Sequence, residues 1–442
     1  MSQLVTLLYS YTRTRYLANR FRSRAALLVW QNRQVQRFLR NILPRSPFYQ
    51  RHFAGHAIEQ WQSWPIMDKS LMMDNFDELN TLRLSKEAAF AVALQAESSR
   101  DFTPKLGPIS VGLSSGTSGK RGLFIATDPE RYRWAGAALA KVLPGALWER
   151  QRVAFFLRAN SNLYTSIGSQ RIQFEFFDLL DPLDQHVERL RRLQPTILVA
   201  PPSLLRQLAA QMAHGHLRIS PRKVISVAEV LDPLDEKFIC AHFDQPIHQV
   251  YQCTEGFLAS TCRYGTLHLH EELVAIQKEY LDEGLRKFVP IITDFNRTSQ
   301  PIIRYRLNDI LTERATPCPC GAVTTALAQI EGRCDDLFYL RATNGEQWIP
   351  IFPDFISRSV IASSTAIEEY QVRQVGPEQI EIALALADSE RAQAQQDVTL
   401  AFQQLFARLR CQPPHLRFVE LTYAPSPRKR KRVERLFPFP HE

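Results

Sequence analysis

At 442 residues the chain is too long for one ordinary hydrophobic core, so two or more domains are expected. Its 45% hydrophobic and 22% charged residues are typical of a globular protein in water, and with no run of about 18 apolar residues no membrane span is expected. The net charge of +9 favours anionic partners (nucleotides and thioester carriers as much as nucleic acid), while seven scattered cysteines argue against a disulfide framework and for a reducing, cytoplasmic compartment.

Residues 1–42 read as one or two amphipathic helices, with Leu28, Val35 and Leu39 at helical spacing and Phe38 beside them. Arg13, Arg15, Arg20, Arg22 and Arg24 accompany no apolar h-region or cleavage site, so no signal peptide is expected. Their face is expected to be solvated, with a membrane-surface or partner role as the rival reading. Leu43-Pro-Arg-Ser-Pro-Phe-Tyr49 breaks the helix, and Trp64-Pro-Ile-Met-Asp-Lys69 reads as an entry turn. The alternating Ile109, Val111 and Leu113 then lead into Ser114, Ser115, Gly116, Thr117, Ser118 and Gly119, followed by Lys120 and Arg121. Small side chains let backbone N–H groups approach a ligand, and the hydroxyls and cations complete a phosphate cradle. It is not the Walker P-loop, because Ser114 stands where that motif has its first Gly; a flexible surface loop is the plainer alternative. Thr127-Asp128-Pro129 caps a helix over 129–142.

From about 151 apolar runs alternate with helical patterns. Strands are expected at 153–157, 196–200, 224–228 and 247–251, and helices at 183–193, 203–212 and 232–243. This is the pattern of a largely parallel α/β sheet, whose ligands sit at the carboxyl ends of the strands. Residues just after the strands therefore matter most: Asn160 and Ser161, Ala228 and Glu229, and Gln252 to Gly256. Residues 266–316 look strand-and-turn-like. After Gly332 the texture changes to a compact α+β unit, with strands at 369–375, 380–386 and 415–421 and a helix at 390–410.

Tyr251-Gln-Cys-Thr-Glu255-Gly256 follows a strand, where Glu255 reads either as a solvated loop carboxylate or as a ligand for a hard cation, with Thr254 able to meet a phosphate oxygen. In Arg304-Tyr-Arg-Leu-Asn-Asp309 the aspartate either pairs with Arg304 or Arg306 or accepts hydrogen bonds from a ribose diol. Gly332-Arg333-Cys-Asp335-Asp336 sits at the texture change, a plausible hinge. Ser426-Pro-Arg-Lys429-Arg-Lys431-Arg432-Val433 reads as a solvated tail or a nucleic-acid patch. Cys262-x5-His268 and Cys318-Pro-Cys320-Gly321 supply three thiols and an imidazole, a set that suits structural zinc, against free core cysteines. Phe155, Phe156, Tyr164, Phe174 and Phe257 are candidates for a flat pocket or ordinary core. His248, His270 and His415 are expected to be structural.

Taken in this order the set resembles the adenylate-forming superfamily, and more closely its phenylacetate–CoA ligase-like, capsule-biosynthesis-related branch, over roughly residues 40–435. The resemblance implies a large domain, 1–332, with mostly parallel sheets flanked by helices and a helical leader at 1–42, plus a small mobile α+β lid domain at 333–442. It implies ATP and Mg²⁺ as cofactors, with coenzyme A and structural Zn²⁺ as further candidates. Ser114 to Lys120 would hold the β- and γ-phosphates, Thr254 the α-phosphate and Glu255 the Mg²⁺. Asp309 would bind the ribose with Arg333 nearby, and Tyr251 would pack on adenine beside the backbone of Ala228 and Glu229. Lys429 would reach the reacting carboxylate and α-phosphate. The branch often carries Cys and His where Cys262, His268, Cys318 and Cys320 stand here.

The implied reaction activates a carboxylic acid, with an aryl acid favoured, to an acyl-AMP and passes the acyl group to a thiol of coenzyme A or a carrier protein. Mg²⁺ and lysines are needed because a carboxylate attacking the α-phosphate meets like charge. A homodimer is admitted and nucleic acid is not an expected partner. Two departures stand out. The glycine usual before the lid lysine is Arg428 here, which makes Lys431 a competitor, and the loop expected to feed the acceptor channel reads Leu340-Arg-Ala-Thr-Asn-Gly345, leaving hydroxyl or amine acceptors open. A degenerate or adenylate-only member and a basic nucleic-acid or membrane-surface binding protein are the rival functions.

Overall fold

Residues 3–101, 105–113, 121–157, 168, 170–345, 347–421 and 431–438 are described in a computed structural model of the chain. The apolar stretches 153–156, 197–200 and 224–225 are buried on both faces, as strands inside a parallel sheet must be. They lie in β3 (Gln151–Leu157), β5 (Ile197–Ala200) and β6 (Lys223–Ser226), which with β4 (Ile172–Asp178) and β7 (Ile247–Cys253) make a parallel array β4-β3-β5-β6-β7. The helices Leu183–Leu193, Pro202–Ala213 and Pro233–Phe243 alternate with these strands in the chain. In the first of them His186, Val187, Leu190 and Leu193 recur at three- and four-residue spacing and are buried.

The sheet continues antiparallel from β7 into β8 (Gly256–Thr261) and β9 (Leu267–Leu269). It is completed by β14 (Ala326–Arg333), β13 (Asp309–Glu313), β11 (Lys287–Asp294) and β10 (Ala275–Asp282), with β12 (Ile302–Arg306) paired to β11. The 12-stranded sheet is thus mixed, parallel on one side of β7 and largely antiparallel on the other. A separate hairpin, β1 (Ser110–Leu113) and β2 (Leu123–Ala126), flanks the Ser/Gly stretch, which lies outside the described residues. Two helices, α1 (Gln3–Arg20) and α2 (Arg24–Ile42), open the chain.

By its internal contacts the chain divides into two units. The first comprises Met1–Ala228, Phe238–Leu307 and Thr312–Gln329, and the second Glu229–Lys237, Asn308–Leu311 and Ile330–Glu442. The second is built on a four-stranded sheet of order β19-β18-β17-β20: β17 (Glu369–Gly376), β18 (Gln379–Ala385), β19 (His415–Val419) and β20 (Val433–Arg435). Tyr370, Val372 and Gln374 alternate inward along β17, and the helices Pro353–Ser363 and Asp388–Arg408 contribute Ile356, Val360, Val398, Phe402 and Phe406 to the same core. Buried Gln374 is satisfied by Tyr339 of the hairpin β15 (Phe338–Arg341)/β16 (Trp348–Ile351), accepting from its N–H at 3.0 Å and donating to its carbonyl at 2.8 Å. An ion pair and a hydrogen bond tie 229–237 to this unit: Arg432 pairs with Asp235 at 2.6 Å and the Tyr370 hydroxyl donates to Asp232 at 2.6 Å. Among the described residues no helix is long and apolar enough to cross a membrane.

Candidate active site and metal cluster

Cys253 and Gly256 are Cα partners, so Thr254 and Glu255 are the two turn residues joining β7 to β8. The turn lies at the carboxyl end of the last parallel strand, the edge where ligands of open α/β sheets bind. The Thr254 hydroxyl donates to Glu255 Oε2 at 2.7 Å, and the Tyr305 hydroxyl donates to Oε1 at 3.2 Å. Among the described residues Glu255 makes no ion pair. A carboxylate oriented by two hydroxyls is suited to a hard cation. Burial, and then the charge of Glu255, push the Tyr305 phenol pKa up, so it stays a donor. Ala228 follows β6 at the same edge with φ +68, a left-handed conformation costing about 1 kcal/mol in a residue with a side chain. Tyr251 is buried on β7.

Sequence reasoning missed the supports of this turn. Arg297 donates to the Thr254 carbonyl at 2.5 Å and to Gln300 Oε1 at 2.6 Å. Gln300 in turn grips β2, accepting from Ile125 N at 3.0 Å and donating to Leu123 O at 3.0 Å. Glu130, in the first turn of the helix Asp128–Val142, accepts from the N–H groups of Thr127 (2.9 Å), Thr298 (2.6 Å) and Ser299 (2.8 Å) and from the hydroxyls of Thr127 (2.7 Å) and Thr298 (3.1 Å). Glu130 at N3 of a Thr-capped helix was the available signal. Burial alone would raise its pKa, but the hydrogen bonds from Ser299 and Thr127 outweigh it and hold the carboxyl at about 2. That depressed pKa contributes about 3 kcal/mol of stability, fully present above about pH 4.5 and lost as pH falls towards about 2. Glu130→Gln, whose amide would face N–H donors, is expected to lose a comparable amount and flatten that acid limb, as read by urea unfolding from pH 2 to 7.

In the second unit Asp309 Oδ1 lies 3.7 Å from Arg333 Nε, the two residues expected to work together. Of the arginines in its own motif, Arg306 binds Glu279 at 2.7 Å and Arg304 donates to Gln277 at 3.0 Å. Lys431 Nζ is 2.7 Å from Asp336 Oδ1, whose pKa burial pushes up to about 6 against the pull of that lysine. Glu229 is half-buried in this unit. Ser114, Ser115, Gly116, Thr117, Ser118, Gly119, Lys120 and Lys429 lie outside the described residues, as do Asn160, Ser161 and Tyr164. Of the candidate pocket aromatics, Phe156 is fully buried against Phe177 and His186, Phe155 and Phe174 share a core cluster, and Phe257 packs at a tilt against buried His270. They are core. His248 and His270 are structural too: each ring bonds a hydroxyl, Thr261 at 2.9 Å and Ser260 at 2.8 Å, and burial pushes both pKa values down. His415 is exposed at the start of β19.

Cys262, His268, Cys318 and Cys320 converge in the first unit, with one ligand atom from each lying within 4.8 Å of every other. Cys262 Sγ is 3.7 Å from Cys318 Sγ, and Cys320 Sγ is 3.3 Å from His268 Nε2. A tetrahedral zinc with bonds of about 2.3 Å to sulfur would set sulfurs about 3.8 Å apart, close to the first distance. The other imidazole nitrogen, Nδ1, is 3.4 Å from the Thr324 hydroxyl, so Nε2 is the one turned to the thiols. Burial would raise the Cys318 thiol, yet hydrogen bonds from Thr266, Cys320 and His268 hold it down at about 6. The four residues fit a soft, closed tetrahedral site.

No family model and no curated protein matches the sequence. Solved structures do. 2-Hydroxyisobutyryl-CoA ligase in the postadenylation state, in complex with 2-HIB-AMP, superposes with a TM-score of 0.68 at 17% identity, covering 91% of this chain and 88% of that one. Its open conformation with 2-HIB-AMP and CoA gives 0.59 at 17%, covering 91% and 90%. The amide bond synthetase McbA from Marinactinospora thermotolerans gives 0.50 at 14%, covering 72% and 66%. At these identities the likeness is one of architecture, and it spans nearly the whole of the ligase: this chain has the fold of the adenylate-forming ligases.

Proposed function

We propose that the protein is an acyl-adenylate-forming ligase that uses ATP and Mg²⁺ to activate a small carboxylic acid and then passes the acyl group to coenzyme A. The observation that carries this reading is the Thr254–Glu255 turn, a hydroxyl-held carboxylate with no ion pair among the described residues at the carboxyl end of a parallel strand, in a fold shared with a CoA ligase. Glu255 holds Mg²⁺, which supplies charge neutralisation at the phosphates. Thr254 meets the α-phosphate, Tyr251 with the backbone of Ala228 and Glu229 seats the adenine, and Asp309 beside Arg333 takes the ribose. Ser114 to Lys120 bind the outer phosphates. An aryl acid is the first candidate, because the motif order resembles the phenylacetate–CoA ligase-like branch; a carrier-protein thiol is the alternative acceptor. ATP–pyrophosphate exchange across aryl, short hydroxy and fatty acids, with and without coenzyme A, tests it: acid-dependent exchange and AMP release are expected, and a product formed without AMP would overturn it.

Lys429 is assigned the adenylation role, because Lys431 is engaged by Asp336. Lys429→Ala is expected to slow exchange by about 10²–10³ with nucleotide binding retained. Lys431→Ala, which strips a buried carboxylate of its partner, should lower the melting temperature and leave exchange within about tenfold. The opposite pattern would transfer the role to Lys431. We also propose that Cys262, His268, Cys318 and Cys320 hold a structural zinc ion.

A further inference from the structure

The first 58 residues contain ten arginines, at positions 13, 15, 20, 22, 24, 33, 37, 40, 45 and 51, and no aspartate or glutamate. The other 44 Lys and Arg face 45 Asp and Glu, so the whole +9 charge originates in this segment. Within it, α1 is turned contrary to the usual polarity of a surface helix. Its inward face carries the small polar side chains of Thr6, Ser10 and Thr14 with Tyr11 and Leu17. The neighbouring helix Asp128–Val142 approaches so closely that a Cβ at Gly136 would lie 2.8 Å from Ser10 Cβ and 2.9 Å from Tyr11 N. The Ser10 hydroxyl donates to the Arg133 carbonyl at 2.6 Å. Five other large side chains point outward: Leu4 is 64% exposed, Val5 48%, Leu8 39%, Tyr9 59% and Tyr16 62%. From Leu4 to Tyr16 this face runs about 18 Å along the axis. Exposed Arg15 and Arg20 border it, the latter's guanidinium 5.7 Å from the Tyr16 ring centre.

We propose that the outer face of α1 is a docking surface for anionic phospholipid membranes, on which the helix lies in the interface plane. Aliphatic and tyrosine side chains facing one way, with arginines at the borders and no acid, is the pattern of an interfacial helix. Charge excludes a second copy of the same face, which would set arginines against arginines. A nucleic acid would satisfy the arginines and leave the apolar side chains in water.

Co-sedimentation of the full chain with phosphatidylcholine vesicles, with and without phosphatidylglycerol, tests the proposal. Binding is expected only with the anionic lipid, and it should weaken as salt rises from about 50 to about 200 mM. Leu8→Glu combined with Tyr9→Glu should reduce it at least about tenfold, and Arg15→Gln and Arg20→Gln about fivefold each. Melting temperature and pyrophosphate exchange should be unchanged in these variants. Absence of wild-type binding, or undiminished binding by the Glu variant, overturns the proposal. So does a salt-sensitive complex with an acidic carrier protein, or a dimer, that the same variant abolishes without any vesicle binding. The inference stands apart from the ligase reading: failed exchange with intact vesicle binding would remove only the latter.

Discussion

Glu255→Gln is expected to reduce acid-dependent ATP–pyrophosphate exchange by about 10²–10³ while leaving the melting temperature within a degree or so of the wild type. The two halves of that expectation come from the same geometry. Among the described residues the carboxylate is fixed by hydroxyl donors, Thr254 at 2.7 Å and Tyr305 at 3.2 Å, and by no cation, so no buried charge there is orphaned when it becomes an amide. What disappears is the negative charge, and in the proposed chemistry that charge retains the Mg²⁺ which makes attack of one anion on another tolerable. The residual rate should therefore respond to added Mg²⁺ far more steeply than the wild-type rate. Tyr305→Phe removes one orienting donor and keeps the charge, so a loss of about tenfold is expected there. Wild-type exchange in Glu255→Gln would detach this turn from the reaction.

Much of the scaffold behind the turn is legible in the sequence. The strands at 151–157, 197–200 and 223–226 announce themselves through apolar runs, and the helix Leu183–Leu193 appears at the expected residues because its apolar positions keep a regular spacing. β4 does not stand out, because Glu175 interrupts its apolar pattern and its exposed face carries Gln173. Motif spacing also singles out Thr254 with Glu255 and the four zinc-type ligands, whereas the motif around Asp309 suggests Arg304 or Arg306 as its partner and only the family resemblance puts Arg333 nearby. The supporting contacts are long-range and polar, and no periodicity encodes them. Tyr305 reaches Glu255 from 50 residues away on a strand whose preceding residue, Arg304, has φ +46. Arg297 and Gln300 join β2 to the β7–β8 turn through side-chain bonds that a sequence pattern cannot reveal. In α1 the spacing marks two faces, but which one turns inward depends on the close approach of Gly136.

Removing one ligand of the cysteine–histidine cluster is expected to be the most damaging single change for stability. Cys262 and His268 bracket the connection between β8 and β9, while Cys318 and Cys320 lie on the segment between β13 and β14. A metal held by all four would staple two loops about fifty residues apart in the chain, and structural zinc contributes folding free energy directly because no preformed site exists in the unfolded chain. Cys318→Ser should abolish bound zinc, from one ion per chain to none by elemental analysis, and lower stability by about 3–5 kcal/mol, a melting shift of roughly 10 °C for a domain of this size. Cys240→Ser, a thiol outside the cluster, should keep the metal, and a strong chelator should reproduce the Cys318→Ser shift in the wild type. The contrary result is equally definite. If the purified chain carries no zinc, cannot take it up after reduction, and melts at the same temperature with and without chelator, then the 3.7 Å approach of Cys262 to Cys318 is ordinary packing of reduced thiols, and the loops are held by backbone bonds such as Leu269 N to Thr325 O at 2.9 Å.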